Sequence, residues 1–210
     1  MYNIYRMVED MKYVDEITVE VSIDYESLRE ILYLSNFNIV EEYDVKDIYM
    51  LDKKTLGINE PAQLLKNCVL IRDIKYKTEN FKCITYKNKE YNDKKEIVKH
   101  SKIDCYIKSV SDAIELFEAL NYERLIDIYD HIIVFSNGYD ELSVQIVNNK
   151  HIYIEVESKC SYIDKKYCSY DEMKNVIKKY NIPIKNEEYF AKKAEIELME
   201  VFNLRSESYE

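Results

Sequence analysis

The sequence predicts an α+β fold, and three observations carry the prediction. Residues 16–23, Glu-Ile-Thr-Val-Glu-Val-Ser-Ile, alternate polar and apolar side chains without a break, which is the period of a half-buried strand. A helix followed by strands occurs twice, first after Asp24 and again after about Ser111. The last quarter shows helical spacing behind a capping box at Ser169 and Glu172.

Each element follows from its own signal. Asp24 suits an N-cap, and Leu28, Ile31, Leu32 and Ser35 then follow at helical spacing. A strand is expected from Ile39 to Leu51, and Thr55 to Asn67, with Gly57 and Pro61, reads as a loop or short helical turn. Strands follow at Val69–Lys75, Lys82–Lys87 and Lys94–Lys108. A second helix from about Ser111 to Leu120 puts Ile114, Phe117 and Leu120 on one face. Strands at Leu125–Phe135, Leu142–Val147 and His151–Glu157 come next, with a hairpin signal at Ser136-Asn137-Gly138. Leu34-Ser35-Asn36-Phe37 and Ala119-Leu120-Asn121-Tyr122 are matching helix ends, so the two halves read as one unit used twice. Met173, Val176, Ile177 and Tyr180 give the next helix, and a final one is expected from about Asn186 through Phe190, Ala194, Leu198 and Phe202.

Composition excludes several function classes. With 30 Lys+Arg against 40 Asp+Glu the net charge is -10, which disfavours DNA and acidic membranes as partners. The only glycines, Gly57 and Gly138, cannot build a P-loop or a dinucleotide fingerprint, which need several glycines in close succession. Five scattered cysteines without C-x-x-C spacing suggest neither a disulfide framework nor a zinc site. No stretch has the length or apolarity of a membrane span or a secretory leader, so a cytoplasmic location is expected. His100, His131 and His151 lie far apart without ligand spacing and read as surface or hydrogen-bonded imidazoles.

The remaining chemistry lies in carboxylates on strands. Glu16 and Glu20 share one strand face, as do Glu155 and Glu157. Such oxygen donors suit Mg²⁺ or Mn²⁺. The same alternation is also the ordinary signature of a sheet with one wet face.

Sequence context adds to this reading. Glu16-Ile-Thr-Val-Glu20, Asp47-Ile-Tyr49, Val69-Leu-Ile-Arg72, Ile84-Thr-Tyr-Lys87, Lys94-Lys-Glu96 and Tyr153-Ile-Glu155-Val-Glu157 stand in this order along the chain. They resemble the E-x-E-x-K, D-x-Y, L-R-I-R, L-T-Y-K, R-x-E and F-x-E-x-E segments of the CYTH, or triphosphate tunnel metalloenzyme, family. The resemblance spans about Asp15 to Phe202. It implies an antiparallel eight-stranded β-barrel, forming a tunnel, with flanking helices and a helical C-terminal part. One domain over 1–210 is expected, its core at about 15–158 and its helical part at about 159–205.

The resemblance also implies roles. Arg72, Lys87 and Lys94 would bind phosphate, and Glu16, Glu96, Glu155 and Glu157 would hold Mg²⁺ or Mn²⁺. No catalytic residue is assigned. The ligand, bound in the tunnel, would be a triphosphate-containing small molecule or a nucleotide, and an enzyme built this way would hydrolyse it with divalent metal, the cyclase activity of the same family ranking below hydrolysis. The chain departs from the pattern at Thr18, Glu20, Leu70, Asp130, Ile132 and Gln145, where the family carries charged residues or, at Glu20 and Asp130, a base. The alternative is therefore a catalytically inactive protein that keeps the barrel and binds phosphate, a nucleotide or a partner.

Overall fold

The computed structural model of the protein describes residues 16–55, 57, 60–91 and 97–207. All eight strands expected from alternation are present. They are β1 (Glu16–Glu20), β2 (Asn38–Asp52), β3 (Cys68–Tyr76), β4 (Asn80–Tyr91), β5 (Ile97–Tyr106), β6 (Tyr122–Ser136), β7 (Glu141–Val147) and β8 (His151–Glu157). The helices are α1 (Tyr25–Leu34), the single-turn α2 (Pro61–Lys66), α3 (Val110–Ala119), α4 (Tyr170–Lys179) and α5 (Lys193–Glu207). The strands form one antiparallel sheet in the order β1-β8-β7-β6-β2-β3-β4-β5.

The twofold use of one unit is visible in this order. Reading outward from the β2–β6 ladder, β3 matches β7, β4 matches β8 and β5 matches β1. The first strand of each unit thus joins the sheet half built by the other. Both helices preceding the long central strands end alike: Asn36 and Asn121 adopt left-handed φ values of 62° and 69°, which Asn tolerates better than most residues. Their starts also match, because Asp24 accepts from the Ser27 N–H and Ser109 from the Asp112 N–H.

Alternation assigns each strand two faces. The outward face of β1, β6, β7 and β8 buries Ile17, Val19, Ile133, Phe135, Leu142, Val144, Ile154 and Val156. Against it pack Leu28 and Leu32 of α1 and Met173, Val176 and Ile177 of α4. Outside β2 and β3, Ile48, Met50 and Ile71 pack on Ala113 of α3. Removing this apolar surface from water stabilises the layers by roughly 25 cal/mol per Å². The inward face carries the charges, and one side chain or more from every strand lines a single cavity of about 660 Å³.

Two expectations need correction. The barrel is not closed by hydrogen bonds, because β1 and β5 are the free ends of the strand order and no ladder joins them among the described residues. The outer edge of β1 is instead bonded to the segment 183–191. The Ser22 N–H donates to Pro183 O, Lys185 N–H to Glu20 O, Thr18 N–H to Tyr189 O, and Ala191 N–H to Thr18 O. For the same reason the last helix starts at Lys193 rather than near Asn186: residues whose backbone groups are committed to a strand edge cannot also close helical turns.

Candidate functional site

The cavity has an acidic wall built by β1 and β8. Glu16 and Glu157 are directly opposed in the ladder, and Glu155 lies opposite Thr18. Like charges placed across a strand pair destabilise it. The Glu157 carboxyl is pushed up to about 7, first by desolvation and then by the charges of Glu155, Glu16 and Glu141, with Lys102 acting in the opposite sense. These three carboxylates on two neighbouring strands are hard oxygen donors.

A basic wall comes from β3, β4 and β5. Lys87 and Lys102 are cross-strand partners, again a like-charge pair, and both line the cavity. Lys102 reaches Asp104 at 2.9 Å. Arg72 is held in a two-pronged contact by Asp47, Nε to Oδ1 at 2.6 Å and Nη2 to Oδ2 at 3.0 Å. Burial works against the guanidinium charge, and Asp47 more than offsets it, so the pKa is raised.

The five described residues singled out in the sequence, Glu16, Arg72, Lys87, Glu155 and Glu157, all line this cavity. Lys94 and Glu96 lie outside the described residues. Lys102 and Lys193 were not singled out. Inward alternation along the expected strand 94–108 would have found Lys102, whereas Lys193 enters through the first turn of α5, a start that periodicity placed elsewhere. The Nζ of Lys193 donates to Asp130 Oδ2 at 3.2 Å and also to Gln145 Oε1.

The two acids that stand where the resemblance places bases are both neutralised by cations from other parts of the chain. Asp130 faces Lys193. Burial disfavours the Lys193 charge, but Asp130, Glu155 and Glu16 together raise its pKa. Glu20 is not part of the cavity wall; its Oε1 contacts Lys185 Nζ at 2.9 Å and His151 Nδ1 at 3.1 Å. His151 Nε2 lies 2.9 Å from Glu200 of α5, so this imidazole is hydrogen-bonded, as is His131 beside Asp44 and Glu42. No repulsive acid faces the cavity at position 20.

Among the described residues, no three His, Cys, Asp or Glu side chains converge in a ready-made metal cage. The acidic wall still fits the chemistry of Mg²⁺, which keeps several waters and commonly binds through one or two carboxylates together with substrate phosphates. The five cysteines are free, three of them buried. No described helix is long and apolar enough to cross a membrane.

No known family profile matches the sequence, and no curated protein matches it. Solved structures do match. The PH1819 protein of Pyrococcus horikoshii is 15% identical, with 90% of this chain and 99% of that chain covered at a TM-score of 0.65. A candidate adenylate cyclase from Vibrio parahaemolyticus is 10% identical, covering 88% and 98% at a TM-score of 0.55. HpAC1 of Hippeastrum, a candidate adenylyl cyclase described with a dominant triphosphatase activity, is 13% identical, covering 86% and 92% at a TM-score of 0.52. The chain has the CYTH-like fold: an eight-stranded antiparallel sheet with flanking helices, its inward face lining the cavity.

Proposed function

We propose that the cavity binds a triphosphate, free or carried by a small molecule, as its divalent-metal complex. The observation that supports this reading is the pair of like-charge ladders on one cavity. Glu16 opposes Glu157 on one side, and Lys87 opposes Lys102 on the other. A metal-bound polyanion has a cationic and an anionic part, which complement the acidic pair and the basic pair respectively. The fold shared with a protein described as a triphosphatase agrees with it.

In this reading one or two of Glu16, Glu155 and Glu157 would hold Mg²⁺ or Mn²⁺ together with the ligand's phosphates, and the ion when bound would supply Lewis-acid neutralisation of phosphate oxygens. Lys87 and Lys102 supply ammonium donors to the phosphate chain, and Arg72, held by Asp47, supplies a fixed positive field. Lys94 and Glu96 join the proposal on sequence alone.

A second reading, binding without turnover, is favoured by Thr18, Leu70 and Gln145 on the cavity wall and by the commitment of Arg72 to Asp47. One screen separates the two: phosphate release from tripolyphosphate, ATP and thiamine triphosphate with Mg²⁺ or Mn²⁺, repeated with Glu157→Gln and Lys87→Ala. Release abolished by both substitutions supports hydrolysis. Saturable binding without release supports the second reading, and neither binding nor release removes the proposal.

A further inference from the structure

The two ends of the strand order differ in how their outer edges are covered. In the internal repeat β5 matches β1, and the outer edge of β1 is bonded to the segment 183–191 through backbone groups. The outer edge of β5 has no such ladder among the described residues. Residues 102–106 of β5 are exposed one after another, as expected of a strand open on that side. Ile103 and Tyr106 leave 59% and 78% of their surface in solvent, and Tyr86, the cross-strand partner of Ile103, leaves 42%.

The backbone and side chains of this edge match a second copy of themselves. The Ile107 N–H donates to Lys82 O across β4, and bonding alternates along an antiparallel ladder. Ile103 and Cys105 therefore turn their backbone groups toward β4, whereas Lys102 and Asp104 turn theirs toward the open edge. In an antiparallel pair of β5 strands centred on Ile103, Lys102 falls opposite the partner's Asp104, so outward-pointing backbone groups meet and the facing charges are opposite. Opposite charges across a strand pair favour such a register. Within one chain the two side chains already lie 2.9 Å apart. On the other face Ile103 meets its own copy at the two-fold axis as a non-hydrogen-bonded pair, whose side chains approach most closely, with Tyr86 flanking it in each chain. A Lys on a strand edge ordinarily discourages pairing. Asp104, two residues further on, lifts that obstacle for an antiparallel copy and keeps it for strands without the matching acid.

We propose that β5 is a dimerisation edge, at which two copies of this chain pair antiparallel about a two-fold axis at Ile103 and join their sheets into one. The inference is independent of the triphosphate reading. A two-fold contact closes on itself, so one partner occupies the open edge and the pairing does not propagate. A contact one strand wide belongs to the weak, concentration-dependent class of interfaces.

The test is sedimentation equilibrium of the full chain over about 1–100 μM, where weak interfaces dissociate, in buffer without phosphate because Lys102 also lines the cavity. The wild type is expected to pass from monomer to dimer within this range. Asp104→Lys and Lys102→Asp each set like charges across the axis and should each weaken association by about tenfold. An equimolar mixture of the two should restore it as a heterodimer, because each variant then faces the opposite charges. Ile103→Cys, with the exposed Cys105 and Cys168 changed to Ser, should join two chains by a disulfide under a mild oxidant, since facing Cα atoms of a non-hydrogen-bonded pair lie about 4.5 Å apart. A wild type that stays monomeric throughout, a dimer that neither charge variant weakens, or a mixture that stays monomeric overturns the proposal. If the charge variants do not fold, the Ile103→Cys chain decides: a linked dimer supports the pairing and its absence overturns it.

Discussion

Asp140 leaves 2% of its surface exposed in the turn between β6 and β7, and four donors reach its carboxylate. They are Lys165 Nζ at 2.5 Å, Tyr167 OH at 3.0 Å, Lys179 Nζ at 2.8 Å and Tyr180 OH at 2.6 Å. Burial alone would raise its pKa, but these donors hold it far below the usual carboxylate range. A depressed folded pKa contributes stability above the unfolded value and loses it as pH falls below about 4. Asp140→Asn should cost about 2–4 kcal/mol at pH 7, because buried donors lose a charged acceptor. Its unfolding free energy should also fall less than the wild type's between about pH 5 and pH 3, which denaturant titrations at each pH will measure. Lys193 and Asp130 form the corresponding pair inside the cavity. Lys193→Met should lower the melting temperature by leaving Asp130 buried without its cation, and adding Asp130→Asn should restore most of the loss, since the penalty of a broken pair lies in the surviving charge.

The element that sequence reasoning handled least well is the one that completes the sheet. The segment 183–191 runs along β1 through backbone groups, and backbone bonding leaves no signature in side-chain periodicity. Phe190 and Ala194 are four apart and read as one helix face, yet Phe190 bridges Thr18 and only Ala194 is helical. Strands were legible because their two faces differ: Ile17, Val19 and Ile154, Val156 go outward to helices, and Glu16, Thr18 and Glu155, Glu157 inward. The carboxylates of the candidate site were legible for the same reason. The compensation of Glu20 by Lys185 and of Asp130 by Lys193 was not, because the partners are 165 and 63 residues apart and only the fold brings them together. Ala191→Pro tests the strap at this scale. It removes the N–H that bonds Thr18 O at 2.9 Å and should cost about 1–3 kcal/mol through an unsatisfied carbonyl and a distorted edge. Amide exchange should quicken along β1 in this variant while β2 and β6, central in the sheet, stay protected.

At the scale of the molecule, two copies of one helix-and-strands unit exchange their first strands and curl one sheet around a cavity. That curl brings alternating carboxylates, which on a flat sheet would be a wet surface, and the lysines of β4 and β5 onto one cavity. A chain of net charge -10 repels polyanions at long range, so specific binding depends on the local basic wall and on metal neutralisation at the acidic one. The most direct measurement is calorimetric titration of tripolyphosphate into the protein with and without Mg²⁺, for the wild type, Lys87→Ala and Glu157→Gln. Saturable binding at one site is expected, requiring Mg²⁺ and weakening by about 10- to 100-fold in each variant, the loss expected for one charged phosphate or metal contact. Absence of binding, or binding that neither Mg²⁺ nor the two substitutions alters, would contradict it.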